Sequence, residues 1–324
     1  MICSFQIQIG PIGRSLRPGL SLSSPRLKYS WMLAFYYDYG EDDNVIGTKI
    51  VGLDGKLIRV LPGMIPVATF DNSRSLVLIS LRNQRSVALL SNSGKRLIRI
   101  PLKFKIGAPE GDGSMDSSVG ISPTGTLLSA TGSDGNLYVV VLRKGAALYE
   151  VPISKLLPTE KFLGFAAEKP IVWDSSDSFF FTAWHVEPNP DGYSNCVMRL
   201  NISDRKVQFV CWGTLVCGFG PGRLVVSHYG RYQEKIRIFS LNSGKFSQTQ
   251  FSGNDAFVLR NKLTIISFAS LVHRIHPRES LIWITEYNSN SLDVLRQYAA
   301  PGHLNDCNFM GGSIFPIEWT DKDP

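Results

Sequence analysis

A short strand–turn–strand pattern recurs six times along this chain of 324 residues. In each copy a β-rich apolar stretch runs into a polar turn, and a second β-rich stretch follows. The turns are centred at residues 54, 92, 143, 203, 242 and 289, so their mean spacing is 47 residues. Asn, Asp, Ser and Gly suit such turns because they tolerate the positive φ angles of tight hairpins. A period in the forties is that of one four-stranded repeat unit, which predicts an all-β fold.

A second pair of strands precedes each of these hairpins. Examples are ATFDNSRSLVLIS from Ala68 and IVWDSSDSFFFTAWH from Ile171. These runs alternate or are continuously apolar, as half-buried or buried strands are. A helix is favoured only in ISKLLPTEKFLGFA from Ile153, where Pro158 interrupts the pattern. We interpret that stretch as a connection between two units.

The most regular copy is VGISPTGTLLSATGSDGNLYVVVL, from Val119 to Leu142. It resembles a blade of the WD-repeat family, in which a Ser-Pro turn, a small-residue strand and an Asp-Gly turn precede an exposed strand. The Gly-His and Trp-Asp dipeptides of that family are absent from every unit. The loose pattern, with a basic residue after the Ser-Gly turn, is also similar to TolB-like six-bladed propellers. The resemblance covers the architecture of residues 30–319 and implies a single β-propeller.

We expect six four-stranded blades in one propeller that spans residues 30–324, with residues 1–29 as a poorly ordered N-terminal extension. The segment GGSIFPIEWT, Gly311–Thr320, is a strand candidate left over after six units, whereas the first unit lacks an obvious first strand. Ring closure removes exposed sheet edges, so we predict that this C-terminal segment completes the first blade. The alternative is a seven-bladed propeller, in which the segment joins FQIQI near Phe5 in an abbreviated blade.

The net charge of +7 permits nonspecific attraction to nucleic acid, but the basic residues are scattered and form no run of five. We therefore expect no specific nucleic-acid binding. The five cysteines include no CxxC pair, and their odd number fits free thiols in a reducing compartment, although one or two disulfides remain open. No window approaches the length of a membrane span. These features favour a cytoplasmic location, with periplasm or secretion as alternatives if the chain start is mis-assigned.

Motifs for chemistry are sparse. The chain contains no GxSxG nucleophile motif and no Gly-rich nucleotide loop, so we expect no catalytic residue and no cofactor. His185 and His228 each follow an aromatic or β-branched strand, in FFFTAWH and RLVVSH. Some propeller-fold lyases bind a metal through histidines at the central channel, so these two residues are the candidate metal ligands. A role as ordinary strand-end residues is the competing interpretation.

Two long polar loops are the candidate binding elements. The segment GAPEGDGSMDSS joins the second and third units and supplies Glu110, Asp112 and Asp116. The segment VEPNPDGYSN lies within the fourth unit and contains Glu187, Asp191 and Tyr193. Long loops on a rigid scaffold often carry function, although they are equally well explained as tolerated insertions.

These observations lead to a non-catalytic, monomeric propeller that binds a protein or peptide through one loop rim and the central channel. The first alternative is a metal-assisted lyase or hydrolase that uses channel histidines. The second alternative is a sensor domain of a larger protein. Because one fold hosts many functions, the choice among the three depends on the site.

Overall fold

A computed structural model describes most of the chain. The described residues are 30–37, 45–52, 57–70, 75–80, 84–92, 94, 97–107, 119–166, 169–229, 234–253, 255–259, 262–268, 282–299 and 315–318. The predicted extension, residues 1–29, lies outside them.

The described strands form six antiparallel sheets, which we number in chain order. From its innermost to its outermost strand, sheet 1 consists of β25 (Phe315–Glu318), β1 (Ser30–Tyr37), β2 (Val45–Gly52) and β3 (Leu57–Pro62). Sheet 2 consists of β4 (Met64–Phe70), β5 (Ser75–Ser80), β6 (Ser86–Ser91) and β7 (Leu97–Pro101). Sheet 3 consists of β8 (Val119–Ile121), β9 (Leu127–Thr131), β10 (Asn136–Val141) and β11 (Ala146–Pro152).

The second half of the chain continues the same order. Sheet 4 consists of β12 (Phe162–Phe165), β13 (Val172–Trp173), β14 (Ser178–His185), β15 (Asn195–Asn201) and β16 (Lys206–Trp212). Sheet 5 consists of β17 (Thr214–Gly218), β18 (Arg223–Tyr229), β19 (Glu234–Ser240) and β20 (Lys245–Ser252). Sheet 6 consists of β21 (Asp255–Leu259), β22 (Lys262–Phe268), β23 (Ile282–Asn288) and β24 (Val294–Ala299). Among the described residues one short helix, α1 (Ile153–Leu156), follows β11 at the start of the predicted connection. The end of that segment is not a connection, because it pairs with β14 as strand β12.

The innermost strands form a ring. Strand β4 contacts β8, β8 contacts β13, β13 contacts β17, and β17 contacts β21. Strand β25 contacts both β21 and β4 and so joins the last sheet to the first two. The chain is therefore a single all-β propeller, as the sequence predicts.

The six turns that define the repeat occupy equivalent places in the sheets. Each turn centre falls between the third and the fourth strand of its sheet, for example residue 143 between β10 and β11. The period of the turns is therefore the period of the sheets, and this prediction is confirmed.

Sheet 4 departs from the predicted four-stranded pattern. Five sheets have four strands, whereas sheet 4 has five, because two short segments share its innermost position. Strand β12 pairs with the end of β14 at Ala183–His185, and β13 pairs with Phe179 and Phe180 near the start of β14. The prediction of four strands is wrong for this unit, since the chain leaves the sheet between β12 and β13 and rejoins it.

The C-terminal strand completes sheet 1. Strand β25 pairs antiparallel with β1, and its register joins Ser30 to Glu318 and Leu33 to Phe315. This pairing lies within the predicted segment, so closure by a C-terminal strand is confirmed. A strand from the end of the chain thereby covers the inner edge of the first sheet, which removes an exposed edge.

The core consists of apolar layers between neighbouring sheets. Along β14, Phe179 and Phe181 pack toward sheet 3, whereas Phe180 packs toward sheet 5. All three rings are buried, so they fill the space between neighbouring sheets. Successive residues of a strand point to opposite faces, so a continuously apolar run fills two layers at once.

Buried hydroxyl groups add polar links between the sheets. The Thr48 hydroxyl donates to the carbonyl of Met64 at 2.7 Å, and the indole of Trp173 donates to the hydroxyl of Ser129 at 2.9 Å. The hydroxyl of Thr182 accepts a hydrogen bond from the amide of Leu215 at 2.9 Å. Each link joins one sheet to the innermost strand of the next sheet and satisfies groups that lie away from water.

Within the described part of the chain, no helix is long and apolar enough to cross a membrane.

Candidate functional site

The two predicted histidines occupy similar places in adjacent sheets. His185 is the last residue of β14, and His228 is the penultimate residue of β18. Both strands are second from the inside of their sheets, and both histidine rings contact an aromatic ring of their own outermost strand. The two rings therefore lie beside outer strands, between sheets.

The loop between β14 and β15 is closed by its own hydrogen bonds. The amide of Asn189 donates to the carbonyl of Tyr193 at 2.9 Å, and the amide of Gly192 donates to the carbonyl of Asn189 at 2.8 Å. The side-chain oxygen of Asn189 accepts a further bond from the Tyr193 amide at 2.8 Å. The Val186 amide bonds to the Lys161 carbonyl and anchors the start of the loop. We call residues 186–194 the rim loop, because they border the end of sheet 4.

His185 is tied to the rim loop. Its Nδ1 lies 2.7 Å from the carbonyl oxygen of Glu187. Nδ1 also lies 3.2 Å from the amide nitrogen of Glu187, so the tautomer decides whether Nδ1 donates to the carbonyl or accepts from the amide. The predicted loop residue Glu187 thus meets the predicted metal ligand through its backbone, while its side chain is exposed.

His228 is buried under the other end of the rim loop. Its ring lies between the rings of Tyr193 and Phe246, with centroid separations of 5.0 Å to each. Its Nε2 lies 3.1 Å from the carbonyl oxygen of Trp212, which requires a proton on Nε2. Nδ1 is buried, and no hydrogen-bond partner for it occurs in the described ranges. The residue is 6% exposed, so Nδ1 is a buried polar atom that no described residue satisfies.

Gly213 allows the close approach of the two sheets at this point. Its φ is +118°, in the region that favours glycine. A Cβ here would lie 2.8 Å from the carbonyl oxygen of Ser227 and 3.1 Å from Nε2 of His228. Only a residue without a side chain lets β18 come this close to the end of β16.

Arg237 borders the same space from sheet 5. Its guanidinium lies over the ring of Phe246, with 4.7 Å between Cζ and the ring centroid. The Nη2 atom donates to the carbonyl of Ser247 at a long 3.4 Å. Nε is buried, and the structure shows no hydrogen-bond partner for it within the residues it describes. Arg237 also takes part in no ion pair among those residues, so its charge is uncompensated there.

Electrostatics link these groups. Burial lowers the pKa of His228, because a charged imidazolium loses its hydration, and the positive charge of Arg237 lowers the pKa further. The hydrogen bond to Trp212 and the negative charge of Asp191 act in the opposite direction. Two of the predicted loop residues therefore act on His228. Asp191 acts through its negative charge, and Tyr193 acts through the contact of its ring.

Trp212 connects the two histidines. Its backbone carbonyl binds His228, and its ring lies 5.4 Å from the ring of His185. Ring contacts extend from His185 to Phe162 at 5.1 Å and from Trp212 to Phe209 at 5.5 Å. The end of sheet 4 is thereby lined with aromatic rings from its inner to its outer strand.

Two apolar side chains are exposed where the rim loop begins. Trp184 is 46% exposed and Val186 is 45% exposed. Trp184 follows the buried Phe180 and Thr182 on the face of β14 that packs against sheet 5, because alternate residues share a face. It therefore marks the point where the contact between sheets 4 and 5 opens to solvent. Trp184 ends the aromatic run that begins at Phe179, but unlike the three phenylalanines of that run it is exposed.

We call this opening the 4–5 cleft. Its members are Trp184, Val186, Asp191, Tyr193, His228, Arg237 and Phe246. The sequence predicts Asp191, Tyr193 and His228 as site residues, but it does not indicate Arg237 and Phe246. Both lie in IRIFSLNSGKF, one of the repeated hairpins, and only the pairing of β18 with β19 and β20 brings them to His228.

Glu110, Asp112 and Asp116 lie outside the described residues. Within the described ranges, no group of three or more His, Cys, Asp or Glu residues is placed to hold a metal ion.

Comparison with known proteins reveals similarity of fold. No family model matches the chain, and no curated protein sequence is similar to it. TolB from Acinetobacter baumannii superposes with a TM-score of 0.54 at 12% identity, over 89% of this chain and 66% of the TolB chain. U3-55K gives a TM-score of 0.46 at 12% identity, over 74% of this chain and 67% of its own.

The WD40 repeats of RRP9 give a TM-score of 0.44 at 12% identity, over 74% of this chain and 66% of theirs. The chain thus has the propeller fold seen in TolB, as the resemblance to TolB-like propellers predicts.

Proposed function

We propose that this protein is a non-catalytic propeller scaffold that binds a protein or peptide at the 4–5 cleft, at the rim of the propeller. The observation that carries the proposal is the exposure of Trp184 and Val186 beside the closed rim loop. Trp and Tyr are enriched at the energetic centres of interfaces, and Trp184 and Tyr193 supply both residue types here.

The ordered rim loop supports the proposal. A binding element that is already closed by its own hydrogen bonds loses little conformational entropy when a partner binds. The bonds at Asn189 and Val186 give the loop this property. The adjacent mouth of the central channel is the second surface that we assign to the partner.

We infer six blades, one for each sheet. The ring of contacts among the innermost strands supports this count, as does the place of each repeat turn between the third and fourth strands. Sheet 4 is then a blade whose innermost strand is split between β12 and β13. The connection that leads into β12 lies next to the rim loop, because the Val186 amide donates to the Lys161 carbonyl.

The proposal includes a monomer in the cytoplasm. No contact in the described residues requires a second copy, and size-exclusion chromatography with light scattering measures the mass directly. Fractionation of native cells tests the compartment, and recovery from the periplasm would contradict the assignment.

Affinity purification with matched variants tests the function. Tagged wild-type protein is recovered from its native cells, and co-purifying proteins are identified by mass spectrometry. We expect one partner to be lost with Trp184→Ser and Val186→Ser combined. The control combines Val294→Ser and Leu295→Ser, which change side chains of similar exposure, 59% and 48%, on the outer strand of sheet 6.

The control variant should retain the partner. If both variants retain the same partners as the wild type, the 4–5 cleft is not the binding surface.

A further inference from the structure

Two nitrogen atoms in the 4–5 cleft are unsatisfied among the described residues. Nδ1 of neutral His228 is an acceptor while the proton is on Nε2, and Nε of Arg237 is a donor. Nδ1 of His228 and Nε of Arg237 are buried, and neither has a hydrogen-bond partner in the part of the chain that the structure describes. Buried polar groups in native proteins are nearly always satisfied, so each exception calls for a water, an ion or a ligand group. Here two exceptions lie in one cleft.

The two side chains lie on the same face of sheet 5 and contact the same ring. His228 and Arg237 lie on paired strands, where Val226 is opposite Arg237 and Lys235 is opposite His228. They are therefore diagonal neighbours, about 7–8 Å apart at their Cα atoms. Both contact Phe246, His228 through its ring at 5.0 Å and Arg237 through Cζ at 4.7 Å.

The charge of the cleft selects an anion. Arg237 is always protonated, and no described carboxylate forms an ion pair with it. The charged and titratable groups that face His228 are Lys235 and Arg237 on β19 and Asp191 and Tyr193 of the rim loop. Asp191 is exposed and acts on His228 only through its charge. The whole chain carries +7, which also favours an acidic partner.

We propose that His228 and Arg237 form an anion subsite for a carboxylate of an acidic partner peptide. The inference rests on the proposed function, because it assigns the chemistry of the partner at the same cleft. A carboxylate has two acceptor oxygens, one for Nε of Arg237 and one for protonated Nδ1 of His228. Nε2 of His228 keeps its bond to Trp212, so neutral His228 gains one proton, on Nδ1, when the carboxylate enters.

Arg199 provides a matched control. Its guanidinium also lies over a phenylalanine ring, with 5.6 Å between Cζ and the centroid of Phe180. In contrast to Arg237, Arg199 is neutralised by Asp174 at 2.7 Å. Both arginines thus contact a phenylalanine ring, but of the two only Arg199 forms an ion pair with a described carboxylate.

Acetate is the probe for the test. The pKa of His228 is followed by NMR of the full-length protein, with the signal identified by its loss in His228→Gln, and chloride keeps the ionic strength constant. We expect acetate to raise the pKa of His228 in the wild type and in Arg199→Gln. The affinity for acetate should fall at least about tenfold in Arg237→Gln, because a charged hydrogen-bond donor is lost.

Urea unfolding of Arg237→Gln distinguishes loss of the subsite from loss of folding. A folded Arg237→Gln variant with weakened acetate binding identifies the lost donor as the cause. Affinity should also increase as the pH falls toward the pKa of His228, because the carboxylate favours the protonated ring.

The outcomes are distinct. An unchanged His228 signal in acetate, or an equal response in Arg237→Gln and wild type, would overturn the subsite. Stronger binding of inorganic phosphate than of acetate would overturn its assignment to a carboxylate. If acetate fails while Trp184→Ser combined with Val186→Ser still loses a partner, the proposed function stands without the subsite. If acetate binds while that variant retains every partner, the anion subsite stands and the proposed function is wrong.

Discussion

Thr182 lies in the contact between sheets 4 and 5 and is almost fully buried. Its hydroxyl accepts the amide hydrogen of Leu215, the second residue of β17. Thr182→Val keeps the shape of the side chain and leaves that buried amide without a partner, which costs about 1–3 kcal/mol. Urea unfolding measures the loss. Thr182→Ser keeps the hydroxyl and is the control, so an equal loss in both variants would argue against a role for the hydrogen bond.

His228 gives folding a pH dependence of known sign. Its pKa in the folded protein is lowered by burial, whereas an unfolded chain has a histidine pKa of about 6.5. Below that pH the unfolded state binds a proton at His228 that the folded state does not bind. The free energy of unfolding therefore decreases as the pH is lowered from about 6.5 to the pKa of His228 in the folded protein. Above about 6.5 the effect vanishes.

His228→Gln should therefore lose less stability than the wild type between about pH 7.5 and pH 5. Urea unfolding at a series of pH values measures the difference in unfolding free energy between the two proteins. A difference that is constant across this range would contradict a buried neutral His228 in the folded state.

Single residues also mark the limit of what the sequence reveals. The candidates His228, Asp191 and Tyr193 could be chosen from strand ends and loop composition. Arg237 could not, because it alternates with the apolar residues Ile236 and Ile238, and this pattern predicts a side chain on the solvated face of a strand. Its importance comes from burial of Nε beside His228, a contact between strands that no local pattern encodes.

At the scale of elements, the rim loop is the feature with the most direct test. Asn189 holds it closed, since its side-chain oxygen accepts the Tyr193 amide while its backbone pairs with the same residue. In Asn189→Ala we expect faster hydrogen exchange at the amide of Tyr193 and weaker binding of any partner. Asn189→Asp keeps an acceptor oxygen and should preserve the protection. Unchanged exchange in Asn189→Ala would show that the loop is closed by other contacts.

Strands and turns were the predictable elements. Turn residues and apolar runs are local signals, so the six hairpins and their order follow from them. The split of the innermost strand of sheet 4 was not predictable, because β12 and β13 are four and two residues long and pair with one strand, β14. Such short segments carry too few residues for a periodicity.

The exposure of Trp184 was missed for a related reason. The run SFFFTAWH reads as one continuously buried strand, and its first six residues are buried. Burial ends where sheet 5 no longer covers the strand, and the position of that end depends on the neighbouring sheet. The proposed binding surface therefore lies at the point where the repeat pattern stops being informative.

At the scale of the whole molecule, the ring depends on one strand from the end of the chain. Strand β25 pairs with β1 and contacts β4 and β21, so it connects the first, second and last sheets. Without it, sheet 1 would expose an inner edge, and the last sheet would lose its contact with the first. The closed ring of innermost strands fixes the positions of sheets 4 and 5, and the 4–5 cleft lies between these two sheets.

Hydrogen exchange on three forms of the protein tests this closed ring most directly. The forms are the full chain, a chain that ends after residue 310 and lacks β25, and a control chain that ends after residue 318 and keeps it. We expect the shorter chain to lose amide protection in β1 and to unfold at a lower urea concentration, while the control matches the full chain. Equal protection of β1 in all three forms would contradict a propeller closed by its C-terminal strand.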